Sequence, residues 1–154
     1  MESKFFDDFQ IGDVIETHGR TVTEADMVNF AGVTGDINPL HMDEVFARTT
    51  PFGRRVPHGQ LVFVLALGLA ERAIAPLFHD SILAFYGVDT MRFINPVFIG
   101  DTIRLHRRVE KLEEKDGTRG LLTFEDQVLN QDDVLCLIYH PKYLLKRLPA
   151  ITPQ

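Results

Sequence analysis

At 154 residues and 17.5 kDa, with 45% hydrophobic residues, the chain carries enough apolar material for one buried core, which excludes a disordered segment. A formal net charge of −6 and a pI near 5.4 argue against general nucleic-acid binding, which relies on clustered Lys and Arg, while leaving room for a few local arginines to meet a small polyanion. Cys136 is the single cysteine, so neither a disulfide framework nor a cysteine metal cluster is expected, and a reducing, cytoplasmic setting fits best.

The opening MESKFFDDF is acidic and has no long apolar stretch, so no secretory signal is expected. No repeat, linker or low-complexity tract divides the chain, and one domain over residues 1–154 is expected. Gly12-Asp13 marks a turn, and the alternation of Val14, Ile15, Thr17, Thr21 and Val22 predicts a first strand. Thr23-Glu24-Ala25-Asp26 has the form of a capping box, with Met27, Phe30 and Ala31 following at helical spacing. Gly32 and Gly35 are expected to end that helix. Residues 36–58 read as irregular, punctuated by Pro39, Pro51, Gly53 and Pro57, with a short helix from Asp43 to Arg48. Gly59 opens an apolar helix expected to run to about Ala75 and stop at Pro76. Its longest apolar run, Leu61 to Leu67, extends past Gly68 only through Leu69 and Ala70. A membrane span needs roughly 20 apolar residues, so a core helix, buried on all sides, is expected instead.

The second half changes character. Ser81 to Phe93, Thr102 to Glu113, Gly120 to Leu129 and Val134 to Leu145 read as strands. Explicit turns separate them at Asn95-Pro96, Gly100-Asp101, Lys115-Asp116-Gly117 and Asn130-Gln131-Asp132-Asp133. Short polar turns between consecutive strands imply an antiparallel meander. The expected fold is α+β, an antiparallel β-sheet wrapped around a long central apolar helix. Pro141 falls inside the last strand, where it cannot donate a ladder bond, and this puts that strand's pairing in question.

The chemically informative segment is Gly35-Asp36-Ile37-Asn38-Pro39-Leu40-His41. It sets a carboxylate, an amide and an imidazole within six positions on a loop bent by Pro39. Hydration of a double bond conjugated to a carbonyl needs a group to take a proton from water, a proton for the alpha carbon, and donors for the developing enolate. Asp36 and a neutral His41 can hold and polarise one water between them. The enolate donor is suggested at Val56-Pro57-His58-Gly59, because helix N-termini expose unpaired N–H groups and Gly59 lets a ligand approach the backbone. By composition alone, Asp-Ile-Asn-Pro is more often a turn, and His-Gly more often a plain helix entry.

The stretch Phe30-Ala31-Gly32-Val33-Thr34-Gly35-Asp36-Ile37-Asn38-Pro39-Leu40-His41 strongly resembles the hydratase motif of the MaoC-like, (R)-specific enoyl-CoA hydratases. The similarity continues through Asp43, Phe46, Ala47, Thr49 and His58-Gly59, and returns at Phe93 to Thr102. Phe9-Gln10-Ile11-Gly12-Asp13 looks like the family's opening strand, so the likeness covers the chain to about Arg104. The resemblance implies a single hotdog fold, with residues 59–75 as the central helix. It implies catalytic roles for Asp36 and His41, a supporting role for Asn38, and a thioester-binding role for Gly59. The implied reaction is reversible hydration of a trans-2-enoyl-CoA, or a related acyl-carrier thioester, to the (R)-3-hydroxyacyl thioester, with no metal or redox cofactor. The substrate thioester is the expected partner, with no nucleic acid and no membrane. A homodimer or an assembly of dimers is also expected, since one sheet around one helix leaves an edge uncovered.

Arg54 and Arg55 could meet CoA phosphates, or could be a solvated surface pair. Arg104, Arg107 and Arg108 read mainly as solvated or cross-strand paired, and His18, His79, His106 and His140 as surface or turn histidines without companions. Cys136, among Val134, Leu135, Leu137 and Ile138, reads as a buried structural thiol. Two other functions compete: an acyl-CoA thioesterase on the same fold, whose water would attack the carbonyl carbon, and a non-catalytic acyl-CoA-binding module. A binding module has no need of an acid–base pair.

Overall fold

The computed structural model describes residues 3–148. A turn of 3-10 helix at Phe6–Asp8 buries Phe6 and leads into strands β1 (Val14–Glu16) and β2 (Arg20–Thr21). The expected first strand is therefore split. Residues 17–19 step away from the ladder, and Thr17 instead exchanges hydrogen bonds with Leu105: its N–H donates to the Leu105 carbonyl, and its hydroxyl accepts from the Leu105 N–H. Helix α1 (Glu24–Thr34) begins with the expected box, in which the Thr23 hydroxyl accepts from the Asp26 N–H and the Asp26 carboxylate accepts from the Thr23 N–H. Gly32 stays inside the helix. Gly35 ends it, donating its N–H to the Ala31 carbonyl from a left-handed conformation (φ 76°) that a side chain would disfavour.

Two four-residue helices follow, α2 (Pro39–Met42) and α3 (Glu44–Ala47). The second matches the expected helix near Asp43 to Arg48; the first was not expected, and it carries His41. Helix α4 (Gly59–Phe78) passes through Pro76 and ends one turn later than the proline suggests. It buries Leu61, Val62, Leu65, Ala66, Leu69, Ala70, Ile74 and Phe78, while Val64 and Gly68 on its other side are exposed. The expectation of burial on every face is therefore corrected: within one chain α4 is a one-sided core helix. At 20 residues and a mean hydropathy of 1.9 it has the length and composition of a membrane span, but its apolar stripe packs into the sheet.

Strands β3 (Ile82–Phe93), β4 (Thr102–Glu114), β5 (Arg119–Leu129) and β6 (Leu135–Lys146) fall within about a residue of the expected ranges. All pairings are antiparallel and the order is β1-β4-β5-β6-β3, with β2 also on β4. The doubt over β6 is resolved by its position: it pairs with β5 on one side and β3 on the other. Apart from a one-residue bulge at Cys136, the β5 ladder lapses opposite His140-Pro141, between Thr123↔Lys142 and Asp126↔Tyr139, which is where a missing N–H should interrupt it. β3 forms the open edge and carries exposed Ile82, Leu83, Phe85 and Tyr86.

The inward row of β4 reads Ile103, Leu105, Arg107, Val109, all fully buried. Of the two expected alternatives for Arg107, solvated or cross-strand paired, the second holds, and the pair is fully buried. Its Nε and Nη2 donate to the two oxygens of the buried Asp126 carboxylate at 2.7 and 2.6 Å, and its guanidinium lies over Phe124 and Tyr143. Burial alone would push the guanidinium's pKa down, but the hydrogen bonds and charge of Asp126 hold it above the usual arginine value. The Tyr143 hydroxyl donates in turn to Glu71 of α4, tying the helix to the buried pair.

Candidate active site

The catalytic candidates lie where the irregular excursion meets the first turn of α4. Asp36 leaves α1 immediately after the Gly35 cap, and its N–H donates to the Thr34 hydroxyl at 3.2 Å. One carboxylate oxygen of Asp36 accepts the Asn38 N–H at 3.2 Å, an Asx turn that fixes the side chain's direction. Asn38 is the N-cap of α2: its side-chain oxygen accepts the Leu40 N–H at 2.9 Å, and Pro39 occupies the first helical position. The contacts of the Asn38 side chain are local, and they start the turn that delivers His41.

The His41 Nδ1 lies 2.6 Å from the Val56 carbonyl oxygen. A carbonyl only accepts, so Nδ1 carries the proton and Nε2 of the neutral ring presents a lone pair. That is the tautomer a general base needs. Val56, Pro57 and His58 are all buried, and Gly59 follows as the first residue of α4. The His58 Nε2 donates to the Asp36 carbonyl at 2.8 Å and lies 3.9 Å from its carboxylate. The His41 and His58 rings stack with centroids 3.8 Å apart. One oxygen of Asp36 and one ring nitrogen of each histidine lie within 4.8 Å of one another. A cation could meet those atoms, but each ring already uses one nitrogen on a backbone carbonyl.

Beside this cluster is a cleft of about 340 Å³, lined by His41 and Gly59 together with apolar Val62, Phe93, Ile94 and Val97. A Cβ on Gly59 would come within 2.9 Å of the Phe93 ring, so glycine is what allows this close approach. Gly59 thus places a helix N-terminus, with its unpaired N–H groups, in the wall of an apolar cleft next to an acid and a base. A larger, open hollow of about 670 Å³ lies by Phe5, Pro76 and His79, at the far end of α4. Its His79–Asp80 pair is solvated, at 83% and 65% side-chain exposure.

The two arginines separate. Arg55 is engaged by Glu24 at 2.8 and 3.0 Å and by Glu44, so it braces α1 against α3. Arg54 is exposed and stacks on Phe98 at 3.8 Å, which leaves it the freer of the two for a phosphate. Cys136 lines the cleft, and burial followed by the charge of Asp101 pushes its thiol up, away from a reactive thiolate. His140 does have companions, Glu110 at 3.6 Å and Glu125 at 4.0 Å, on the outer face of the sheet. His106 likewise pairs with Glu16. Two members of the site have no role in the sequence reading: the Val56 carbonyl, which no side-chain pattern can announce, and His58, which reads beside Gly59 only as a helix entry.

An antiparallel sheet curled around one long helix, with polar groups gathered at that helix's N-terminus, defines a hotdog fold. The chain belongs to the MaoC-like domain family, which it matches over residues 8–129. It is 43% identical over 103 residues to the Protein MaoC of Klebsiella aerogenes, a match spanning 66% of this chain and 29% of that protein. It is 35% identical over 109 residues to the 3-hydroxybutyryl-CoA dehydratase of Methylorubrum extorquens, spanning 70% of this chain and 65% of that one. The chain thus covers less than two thirds of these relatives' lengths. A solved monoamine oxidase regulatory protein from Archaeoglobus fulgidus superposes with a TM-score of 0.93 at 38% identity, covering 97% of this chain and 98% of that one.

Proposed function

We propose that the protein is a hydratase that adds water reversibly to a short trans-2-enoyl thioester, giving the (R)-3-hydroxyacyl thioester. One observation carries the reading: the Val56 carbonyl holds His41 as the Nδ1–H tautomer, which leaves Nε2 as a basic nitrogen on a ring that lines the cleft with Gly59 and stands within 4.8 Å of the Asp36 carboxylate. A water held between Asp36 and His41 loses a proton to the pair while its oxygen bonds to C3 of the substrate. The C2–C3 π electrons move toward the thioester oxygen, where the Gly59 N–H meets the developing negative charge. The pair then delivers a proton to C2, so one H and one OH have been added and the site is restored. The thioester is the substrate, and the proposed steps call for no metal or redox cofactor.

The apolar lining and modest volume of the cleft suit a short acyl chain, and the name of the Methylorubrum relative points to the same four-carbon class. Carriage of the acyl group on CoA, with Arg54 near its phosphates, belongs to this proposal. So does a homodimer: β3 is an edge strand, paired only with β6, that carries five exposed large apolar residues, the kind of edge a second copy covers.

Incubation with crotonyl-CoA tests the reaction. Loss of the conjugated enoyl absorbance without release of free CoA, with an (R)-3-hydroxy product by chiral analysis, is expected. Free CoA would instead mark a thioesterase. Binding with neither change would favour a regulatory module, a reading to which the Archaeoglobus neighbour's name gives weight.

A further inference from the structure

His58 is fully buried, yet its Nδ1 has no hydrogen-bond partner. It is also the N-cap of α4, but its side chain makes no capping bond. Both facts count against a purely structural origin. A buried nitrogen without a partner carries a desolvation cost that Leu or Phe would avoid, and Ser, Thr or Asp would cap the helix. What the imidazole does accomplish is contact with both members of the acid–base pair. Its Nε2–H donates to the main-chain carbonyl of Asp36 at 2.8 Å. Its ring lies against His41 with a centroid separation of 3.8 Å and an interplanar angle of 32°. Phe30, from α1, backs the ring at 5.0 Å and restricts its own movement.

We propose that His58 is a positioning residue for the Asp36–His41 pair, an inference that rests on the hydratase reading of the site. The Val56 carbonyl fixes one nitrogen of His41 and so leaves the ring free to swing about that bond. The His58 ring closes off the swing by occupying one face. Its other contact pins the backbone of Asp36, so a single buried side chain sets how far the carboxylate stands from the base. Proton transfers are sensitive to such spacing, and a displacement of about 1 Å can lower a rate ~10²-fold. His58 needs no contact with substrate for this. It acts through the two residues that would touch the water.

Three substitutions separate its two contacts. His58→Leu removes both. His58→Phe keeps a flat ring against His41 but loses the donor, and His58→Gln keeps an N–H for the Asp36 carbonyl but loses the ring. With crotonyl-CoA, kcat is expected to fall by on the order of 10²-fold in His58→Leu and by intermediate amounts in the other two. KM should stay nearly constant, because His58 does not line the cleft. Ring-nitrogen NMR of 15N-histidine-labelled protein supplies a readout that needs no turnover. Wild-type His41 should show a single, sharp Nδ1–H tautomer, and His58→Leu should keep that tautomer, held by Val56, while shifting and broadening the ring signals as the ring swings. Full kcat in folded His58→Leu, or unchanged His41 nitrogen signals in every folded variant, would overturn the proposal. If His58→Leu does not fold, the two conservative variants decide by the same measurements. If the wild type does not hydrate crotonyl-CoA, the functional reading has failed and the NMR comparison still decides the role of His58.

Discussion

Replacing Asp126 by Asn would strand the Arg107 charge inside the core. Both side chains are completely buried, and the pair is joined by two short hydrogen bonds. The remaining neighbours offer the guanidinium little: a Tyr143 hydroxyl at 3.4 Å, aromatic faces, and an Nη1 with no partner. Water cannot relieve it without opening the interface between α4 and the sheet. Breaking a buried pair by removing one partner costs about 3–5 kcal/mol. For a chain of this length each kcal/mol lowers the melting temperature by roughly 2–4 °C, so a fall of about 6–20 °C is expected. Thermal and urea unfolding followed by circular dichroism, at one fixed protomer concentration, would measure it. The compensated variant, Arg107→Met with Asp126→Leu, should recover most of the loss, since an apolar pair of similar volume avoids desolvating two charges. A loss below about 1 kcal/mol for Asp126→Asn would refute the argument, because it would mean that the site is wet or that Arg107 relocates without cost.

Asp36→Asn and His41→Gln should each abolish most of kcat, and the double variant should be little worse than either, since groups acting on one water are non-additive; steady-state kinetics with crotonyl-CoA checks this. Gly59→Ala should lower turnover by ~10²-fold with the melting temperature nearly unchanged, because the half-exposed Phe93 ring can yield to the new methyl by moving into the cleft. Burial pushes the Asp26 carboxyl up, but the Thr23 N–H and hydroxyl and the Arg20 charge outweigh it and hold the pKa below the ordinary value. Its contribution to stability is therefore complete above the unfolded carboxylate pKa and is lost as pH falls through the depressed folded one, so Asp26→Asn should flatten the acid limb of a stability–pH curve. Leu83→Lys combined with Tyr86→Lys on the β3 edge should convert a dimer to a monomer by light scattering; a wild-type monomer at micromolar concentration would refute the dimer itself.

The four long strands were legible because each ends at a turn whose chemistry is local, such as Lys115-Asp116-Gly117, where Asp116 accepts from Thr118 and Arg119. The α1 start was legible for the same reason. Non-local features were not. A step of three residues at Thr17–Gly19 depends on what Leu105 offers across the sheet, and Pro76 is tolerated because it falls in the last turn of a helix held by Ile74 and Phe78. Arg107 sits at an inward position of an alternating strand, and only its cross-strand partner Asp126 makes that position tenable. In the site, Asp36, His41 and Gly59 could be named from their motifs. Their geometry could not, because a main-chain carbonyl and a stacked second imidazole define it.

Two stretches of different origin line much of the cleft. One is Val56, Pro57 and Gly59, where the Val56 carbonyl holds His41, His58 behind them holds the Asp36 backbone, and α4 begins. The other is Phe93 to Val97, the exit from β3, which contributes shape and no acid–base group. Division of labour on this pattern makes the two halves separately variable. On the proposed hydratase reading, substitutions along Phe93–Val97 would retune which acyl group is admitted while the Asp36–His41 pair, held beside the start of the core helix, keeps its dimensions. A lineage built on this plan can change its diet without relearning its chemistry.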